Sequence, residues 1–180
     1  MNLPNWLTII RIIMVPFMIL CYYFGGPNWN IYAAIIFIVA SLTDLVDGYL
    51  ARKWKQVTTF GKLMDPMADK ILFMAALIIV VEWGKVQAWV AIILLAREFI
   101  ISAFRLVAAE KGVVMAAGTI GKWKTVAQLV GISFILLDNI GFKALGIPLG
   151  EILVYISVAL SIWSCIEYIY TNREVMKEEK

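Results

Sequence analysis

The sequence predicts an all-α, polytopic integral membrane protein with six transmembrane helices and both termini in the cytoplasm. Of its 180 residues, 62% are hydrophobic, and the mean hydropathy is +0.85. Soluble domains are only about 45–50% apolar. Apolar runs of about 20 residues, the length that crosses a bilayer, recur along the chain. Basic residues form short clusters beside these runs, which indicates membrane orientation and local anion sites and argues against a nucleic-acid partner.

Polar or glycine-containing breaks separate the six predicted spans. The spans are expected at about residues 6–24, 30–50, 64–83, 86–106, 120–138 and 147–170. They leave little room for another domain, so residues 1–180 are predicted to form a single transmembrane domain. The first ten residues lack the positive region of a signal peptide, so the first span is expected to stay in the membrane.

The distribution of lysine and arginine among the breaks predicts the orientation. One side carries both termini and the basic residues Arg52, Lys53, Lys55, Lys62, Arg105, Lys111, Lys122 and Lys124. The opposite loops carry only Lys85 and Lys143. Cytoplasmic loops are enriched in lysine and arginine. The first side is therefore predicted to be cytoplasmic, in a multi-pass protein of the cell membrane.

Four aspartates lie near the predicted cytoplasmic interface. Asp44 and Asp47 share one face of the second predicted helix with Gly48 and Ala51, and helical spacing places Asp65 and Asp69 on one face of the third with Gly61. Each has an ordinary alternative: Asp65 precedes Pro66 and would suit a helix start, and Asp69 would suit a charge that reaches toward the interface. Four carboxylates on consecutive helices favour a joint site instead.

The chemistry of these residues favours a hard metal ion. Clustered carboxylates repel one another unless they are protonated or a cation holds them. The chain has no histidine, and Cys21 and Cys165 lie in separate apolar runs. Oxygen ligands alone favour Mg²⁺ or Mn²⁺, and two such ions would balance four aspartates and form a clamp for displacement at phosphorus. Arg52 and Lys62 beside the cluster indicate a phosphate-bearing ligand.

The pattern Asp44-x₂-Asp47-Gly48-x₂-Ala51-Arg52-x₈-Gly61-x₃-Asp65-x₃-Asp69 resembles the complete signature of the CDP-alcohol phosphatidyltransferases. The resemblance implies transfer of a phosphatidyl group from CDP-diacylglycerol to an alcohol with release of CMP. It also implies two divalent ions and a six-helix membrane domain that usually forms a homodimer. In the residue roles that it implies, Asp69 is the base for the acceptor hydroxyl, and the metal ligands are Asp44, Asp47, Asp65 and Asp69. The implied CDP-lipid contacts are Asp44, Gly48, Ala51, Arg52 and Gly61.

Further polar residues predict a pocket for an acceptor that is itself a phosphate ester. Arg97 and Arg105 are eight residues apart on one face of the fourth predicted helix, and Glu98 is expected to point elsewhere. The ordinary alternatives are that Arg11 extends its charge toward the membrane interface and that Lys122 and Lys124 only set the orientation of the chain in the membrane. The predicted acceptor-phosphate residues are Thr8, Arg11, Lys62, Arg97, Arg105, Lys122 and Lys124. The segments PNWLTIIR, AREFIISAFR and GKWKTVAQ resemble members of the family whose acceptor is glycerol-3-phosphate.

Three alternatives remain open from the sequence. A relative in the same family would use serine, inositol phosphate or phosphatidylglycerol as the acceptor. An aspartate-lined cation transporter would need polar groups along a path through the bilayer, but the middles of the second, third, fifth and sixth spans are nearly all apolar. A membrane scaffold would not explain clustered aspartates beside small residues.

Overall fold

The structure, a computed structural model, describes the backbone of residues 3–54, 59–110 and 118–172, and the side chains of residues 6–43, 64, 66–110 and 118–172. These residues form no β-strand, so the all-α prediction is confirmed for them. Their long helices are α1 (Leu3–Phe24), α2 (Trp29–Trp54), α3 (Thr59–Glu82), α4 (Ala88–Glu110), α5 (Thr119–Leu136) and α6 (Leu149–Thr171).

Each long helix coincides with one predicted span, but α2 and α3 extend into the basic stretch, residues 51–62, that was predicted to separate the second span from the third. Arginine and lysine are good helix formers, so hydropathy shows where the chain becomes polar and not where a helix ends. The interpretation of Asp65 and Pro66 as an ordinary helix start is wrong, because α3 begins at Thr59 and Pro66 lies inside it. The proline removes one intrahelical hydrogen bond, and the helix continues across it.

Two groups of helices meet along a common apolar core. α1 packs against α2 and α3, while α6 packs against α4 and α5. Contacts of α5 with α2 and α3, and of α3 with α4, join the two groups. Buried side chains such as Met18, Phe37 and Leu77 belong to the same cluster as Leu94 and Ile132. The described helices therefore form one bundle.

The close approach of α5 and α6 depends on two glycines. A Cβ added to Gly150 would lie 2.8 Å from the carbonyl oxygen of Gly131 and 2.7 Å from the backbone nitrogen of Ile135. Small residues let helix backbones come this close. Gly131 and Gly150 thus keep α6 close to α5. These two helices and α4 enclose a cavity at the other end of α6.

One end of the bundle is held together by Asp138, which follows α5. Its carboxylate accepts a hydrogen bond from Lys85 Nζ at 3.1 Å and another from Lys143. Hydrogen bonds from Lys143 and Lys85 hold the pKa of the Asp138 carboxyl below its ordinary value. Lys85 follows α3 and Lys143 follows α5, so both loops lie at the same end, as the predicted orientation requires. Which side of a membrane this end faces stays a prediction.

The outer surface of the bundle is apolar. Within the described residues, Trp6–Phe24 and Leu149–Thr171 are long and apolar enough to cross a membrane, and only 22% and 33% of their windows are buried. Neither helix is therefore mostly buried inside the bundle. Other helices also direct large apolar side chains outward, including Ile92 (67% exposed) and Leu106 (65% exposed). This surface supports a membrane protein, while six spans and cytoplasmic termini stay predictions.

Candidate active site

Backbone positions bring the two aspartate pairs to one end of the bundle. Asp44 and Asp47 lie in the last three turns of α2, and Asp65 and Asp69 lie in the first half of α3. The two helices pack against each other, and only four residues separate the end of α2 from the start of α3. Among the predicted metal and CDP-lipid residues, the side chain of Asp69 is described. Outside the described side chains lie Asp44, Asp47, Gly48, Ala51, Arg52, Gly61, Lys62 and Asp65.

The predicted base Asp69 is paired with an arginine of α1. Arg11 Nη1 donates to Asp69 Oδ1 at 2.5 Å, and the Arg11 side chain is 1% exposed while that of Asp69 is 42% exposed. Thr8, one turn earlier on α1, is fully buried. Charge-assisted contacts of this kind fix the direction of a carboxylate. Arg11 was predicted to bind the acceptor phosphate, which stays a prediction, and in the structure it contacts the predicted base.

A cavity of about 630 Å³ lies between α4, α5 and α6. Three of the predicted acceptor-phosphate residues line it: Arg97 and Arg105 from α4 and Lys122 from α5. Glu98 and Glu167 also line it, so three cations face two carboxylates. The structure thus brings together residues that the sequence placed on separate helices, and it leaves their role in acceptor binding as a prediction.

Residues of α6 hold the two arginines in place. Arg97 Nη2 donates to Ser164 Oγ at 3.1 Å. Arg105 Nε donates to the Tyr168 hydroxyl at 3.2 Å, and its guanidinium lies 5.5 Å from the centre of the Tyr168 ring. A Cβ at Gly121 would come within 3.3 Å of Arg97 Nη2, so this glycine leaves room for the guanidinium. Neither Ser164 nor Tyr168 was predicted from the sequence.

Glu98 joins α4 to α5, and the expectation that it points elsewhere is wrong. Its Oε1 accepts from Arg97 Nη1 at 3.1 Å and also pairs with Lys124 Nζ. Lys124 is 1% exposed, and a charge at that depth needs an opposite charge beside it. Glu98 provides this charge, because its side chain extends from α4 to Lys124 on α5. Lys124, predicted to bind the acceptor phosphate, is absent from the described lining of this cavity and lines a second, smaller cavity instead.

A second cavity, of about 190 Å³, lies on the other side of this ion pair. Helices α2, α3, α4 and α5 enclose it, and Asp69 and Lys70 contribute to its α3 wall. Glu98 and Thr125 line both cavities, which makes the two spaces neighbours. Ser41, one turn before Asp44 on α2, also lines the smaller cavity. The smaller cavity, beside the predicted base, therefore shares part of its wall with the larger cavity.

Gln128 was also not predicted from the sequence as a residue of this region. It lies at the smaller cavity, is 3% exposed, and is a lone amide in the apolar run VAQLVG. A strongly polar side chain inside an apolar span is a sequence signal for function. Glu98 carried a similar signal, because it is the single carboxylate in the segment AREFIISAFR.

Comparison with known proteins agrees with the pattern of the aspartates. A family model described as CDP-alcohol phosphatidyltransferase matches residues 1–163. The chain is 42% identical to the CDP-diacylglycerol–glycerol-3-phosphate 3-phosphatidyltransferase of Bacillus subtilis, over 98% of this chain and 97% of the relative. It is 41% identical to the Haemophilus influenzae protein of the same name, over 93% and 91% of the two chains. The corresponding Rickettsia bellii protein is 39% identical, over 89% and 90%.

Proposed function

The chain belongs to the CDP-alcohol phosphatidyltransferase family, and we propose that it transfers the phosphatidyl group of CDP-diacylglycerol to glycerol-3-phosphate. The products are phosphatidylglycerophosphate and CMP, so the enzyme serves phospholipid biosynthesis. Similarity along nearly the whole chain to relatives named for this reaction supports the proposal. The structural observation that supports this proposal is the cavity lined by Arg97, Arg105 and Lys122. It is the neighbour of the smaller cavity that Asp69 lines.

The charges of the larger cavity favour an acceptor that carries a phosphate. Arg97 is already paired with Glu98. Arg105 and Lys122 add positive charge to a cavity that is large enough for a small organic phosphate. Among the described residues, Arg97 Nε is buried and has no hydrogen-bond partner. A phosphate oxygen would satisfy such a donor, and arginine suits phosphate geometry. Serine, the zwitterionic alternative acceptor, would not use this excess of cations.

The four aspartates are proposed to hold two divalent ions, Mg²⁺ or Mn²⁺. The donor set fits, because it consists of carboxylate oxygens on two consecutive helices that pack together, and hard cations prefer oxygen ligands. When bound, the ions would neutralise charge on the pyrophosphate of CDP-diacylglycerol. Arg52 would contact the nucleotide phosphate, Asp44 would also contact the CDP-lipid, and Gly48, Ala51 and Gly61 would leave room for the cytidine.

Asp69 is proposed to accept the proton of the acceptor's primary hydroxyl. As that oxygen forms its bond to the lipid phosphorus, the bond from phosphorus to the CMP oxygen breaks and CMP leaves. General-base assistance of this kind is worth about 10²–10⁴-fold in rate. Arg11 would keep the carboxylate turned toward the substrate through its contact with Oδ1. Thr8 would support Arg11 from the preceding turn of α1.

The same reasoning proposes where the enzyme works. Six spans, a single domain over residues 1–180 and cytoplasmic termini would place the aspartates at the cytoplasmic interface. There, CDP-diacylglycerol keeps its acyl chains in the bilayer while the nucleotide and glycerol-3-phosphate arrive from water. The apolar outer faces of α4 and α6 fit lipid contact. A homodimer is proposed from the family resemblance.

Release of CMP by the purified protein tests the proposal against its alternatives. The protein in detergent receives CDP-diacylglycerol, Mg²⁺ and one acceptor: glycerol-3-phosphate, serine, inositol phosphate or phosphatidylglycerol. We expect the highest kcat/KM with glycerol-3-phosphate and only background release without an acceptor. Faster release with another acceptor would keep the family and reject the acceptor. No release with any acceptor would favour a transporter.

A further inference from the structure

The smaller cavity contains a buried polar atom with nothing to bind. Gln128 is 3% exposed, and its Nε2 has no hydrogen-bond partner among the described residues. Nearly all buried donors in proteins are paired, because an unpaired one loses its bonds to water without replacement. An amide donor that faces a cavity is therefore expected to meet an oxygen that enters that cavity.

The size and lining of this cavity suit a short carbon chain with hydroxyl groups. Its volume is about 190 Å³, whereas one water molecule needs only about 10–15 Å³ of such space. Phe37, Leu72, Phe73 and Leu129 form apolar walls, and Asp69 lies at the same cavity as Gln128. Carbon atoms would pack on the apolar walls while one hydroxyl reaches the carboxylate and another the amide.

We propose that Gln128 recognises the secondary hydroxyl of the acceptor and so makes the enzyme selective for a glycerol phosphate. This inference rests on the proposed function. The acceptor's phosphate lies in the larger cavity among Arg97, Arg105 and Lys122. Its carbon chain extends past Glu98 and Thr125, which line both cavities, and places the primary hydroxyl at Asp69. Gln128 then donates from Nε2 to the oxygen on the central carbon.

The shared wall supports this placement. Glu98 and Thr125 line both cavities, so a molecule that spans the two spaces passes these side chains. Glu98 is paired with Lys124 and Arg97, and these two cations offset its negative charge beside an incoming phosphate. Gln128 lies one helical turn beyond Lys124 on α5, on the same face. The amide thus lies deeper in the bundle than the cations that would hold the phosphate.

Two acceptors that differ only in the secondary hydroxyl test whether the enzyme recognises that hydroxyl. Glycerol-3-phosphate is compared with 3-hydroxypropyl phosphate, which keeps the phosphate and the primary hydroxyl and lacks only the secondary hydroxyl. We expect wild-type kcat/KM to be about 10- to 100-fold higher for glycerol-3-phosphate, the factor for one hydrogen bond to a buried group. Gln128→Leu should lower kcat/KM for glycerol-3-phosphate by about that factor and leave the analogue nearly unchanged.

Two further variants complete the experiment. Gln128→Met keeps the length of the side chain and replaces Gln128→Leu if the leucine variant aggregates in detergent. Gln87→Leu makes the same chemical change at an exposed glutamine before α4, and it should retain the wild-type preference. Equal losses with both acceptors in the Gln128 variants, or no wild-type preference, would overturn the inference. Absence of wild-type transfer to either acceptor would instead overturn the proposed function.

Discussion

Replacing Glu98 with glutamine should destabilise the bundle, because one carboxylate serves two buried cations. Glu98 Oε1 accepts from Arg97 Nη1 at 3.1 Å and pairs with Lys124. The side chains of Glu98, Arg97 and Lys124 are 22%, 13% and 2% exposed. Glu98→Gln keeps the shape and removes the charge, so Lys124 is left as an unbalanced ion between α4 and α5.

The size of the effect follows from the burial of the pair. Removing one partner of a buried ion pair costs about 3–5 kcal/mol. Glu98 is partly exposed, so we expect the lower end, about 3 kcal/mol. In a chain of this size 1 kcal/mol corresponds to about 2–4 °C in Tm, which gives a fall of about 6–12 °C. Adding Lys124→Met removes the stranded charge, and the double variant should recover most of the loss.

Thermal unfolding in detergent, followed by tryptophan fluorescence, measures these differences. Glu82→Gln is the matched control, since Glu82 is exposed at the other end of the bundle and bonds only the Tyr23 hydroxyl among the described contacts. It should shift the free energy of unfolding by less than about 0.5 kcal/mol. An unchanged Tm in Glu98→Gln would refute the reasoning. So would a double variant whose loss equals the sum of the two single losses.

The remaining predictions concern orientation, acceptor binding and the end of the bundle that Asp138 holds together. In a background without native cysteines, Lys85→Cys should react with an impermeant reagent added outside intact cells and Lys55→Cys should not; the reverse pattern would invert the proposed orientation. Arg105→Ala and Lys122→Ala should each raise KM for glycerol-3-phosphate by about 10- to 100-fold, because each loses one charge-assisted phosphate contact, and wild-type KM in both would reject the acceptor site. Asp138 has a lowered pKa, so its contribution to stability is present above the ordinary carboxyl pKa and is lost as pH falls through the lowered value. Tm of the wild type should therefore fall more steeply than Tm of Asp138→Asn as pH falls through that range, and parallel curves would contradict the assignment.

Hydrophobic runs and helical spacing predict most of this fold. Within the described residues, the long helices appear where the apolar runs are, because each run is long enough to form a helix whose outer face is apolar. The helix ends near residues 51–62 were misplaced, since charged helix formers such as Arg52 and Lys62 extend a helix beyond its apolar run.

Spacing within one helix also predicts part of the candidate site. Arg97 and Arg105 share a face of α4 and do line one cavity. Contacts between helices were harder to predict, because spacing within a helix says nothing about which neighbour it meets. The pairs Arg11–Asp69 and Glu98–Lys124 join residues 58 and 26 positions apart. Both pairs depend on the packing of α1 on α3 and of α4 beside α5.

The proposed reaction is tested most directly by following the acceptor into lipid. Purified protein is incubated with CDP-diacylglycerol, Mg²⁺ and isotopically labelled glycerol-3-phosphate, and the lipid extract is analysed by mass spectrometry. Asp138→Asn, a carboxylate change at the opposite end of the bundle, is the control for Asp69→Asn. We expect labelled phosphatidylglycerophosphate from the wild type and the control, in a one-to-one ratio with CMP. The rate with Asp69→Asn should be lower by about 10²–10⁴-fold. Wild-type protein that forms no labelled lipid, or an Asp69→Asn variant at the wild-type rate, would contradict the proposed reaction.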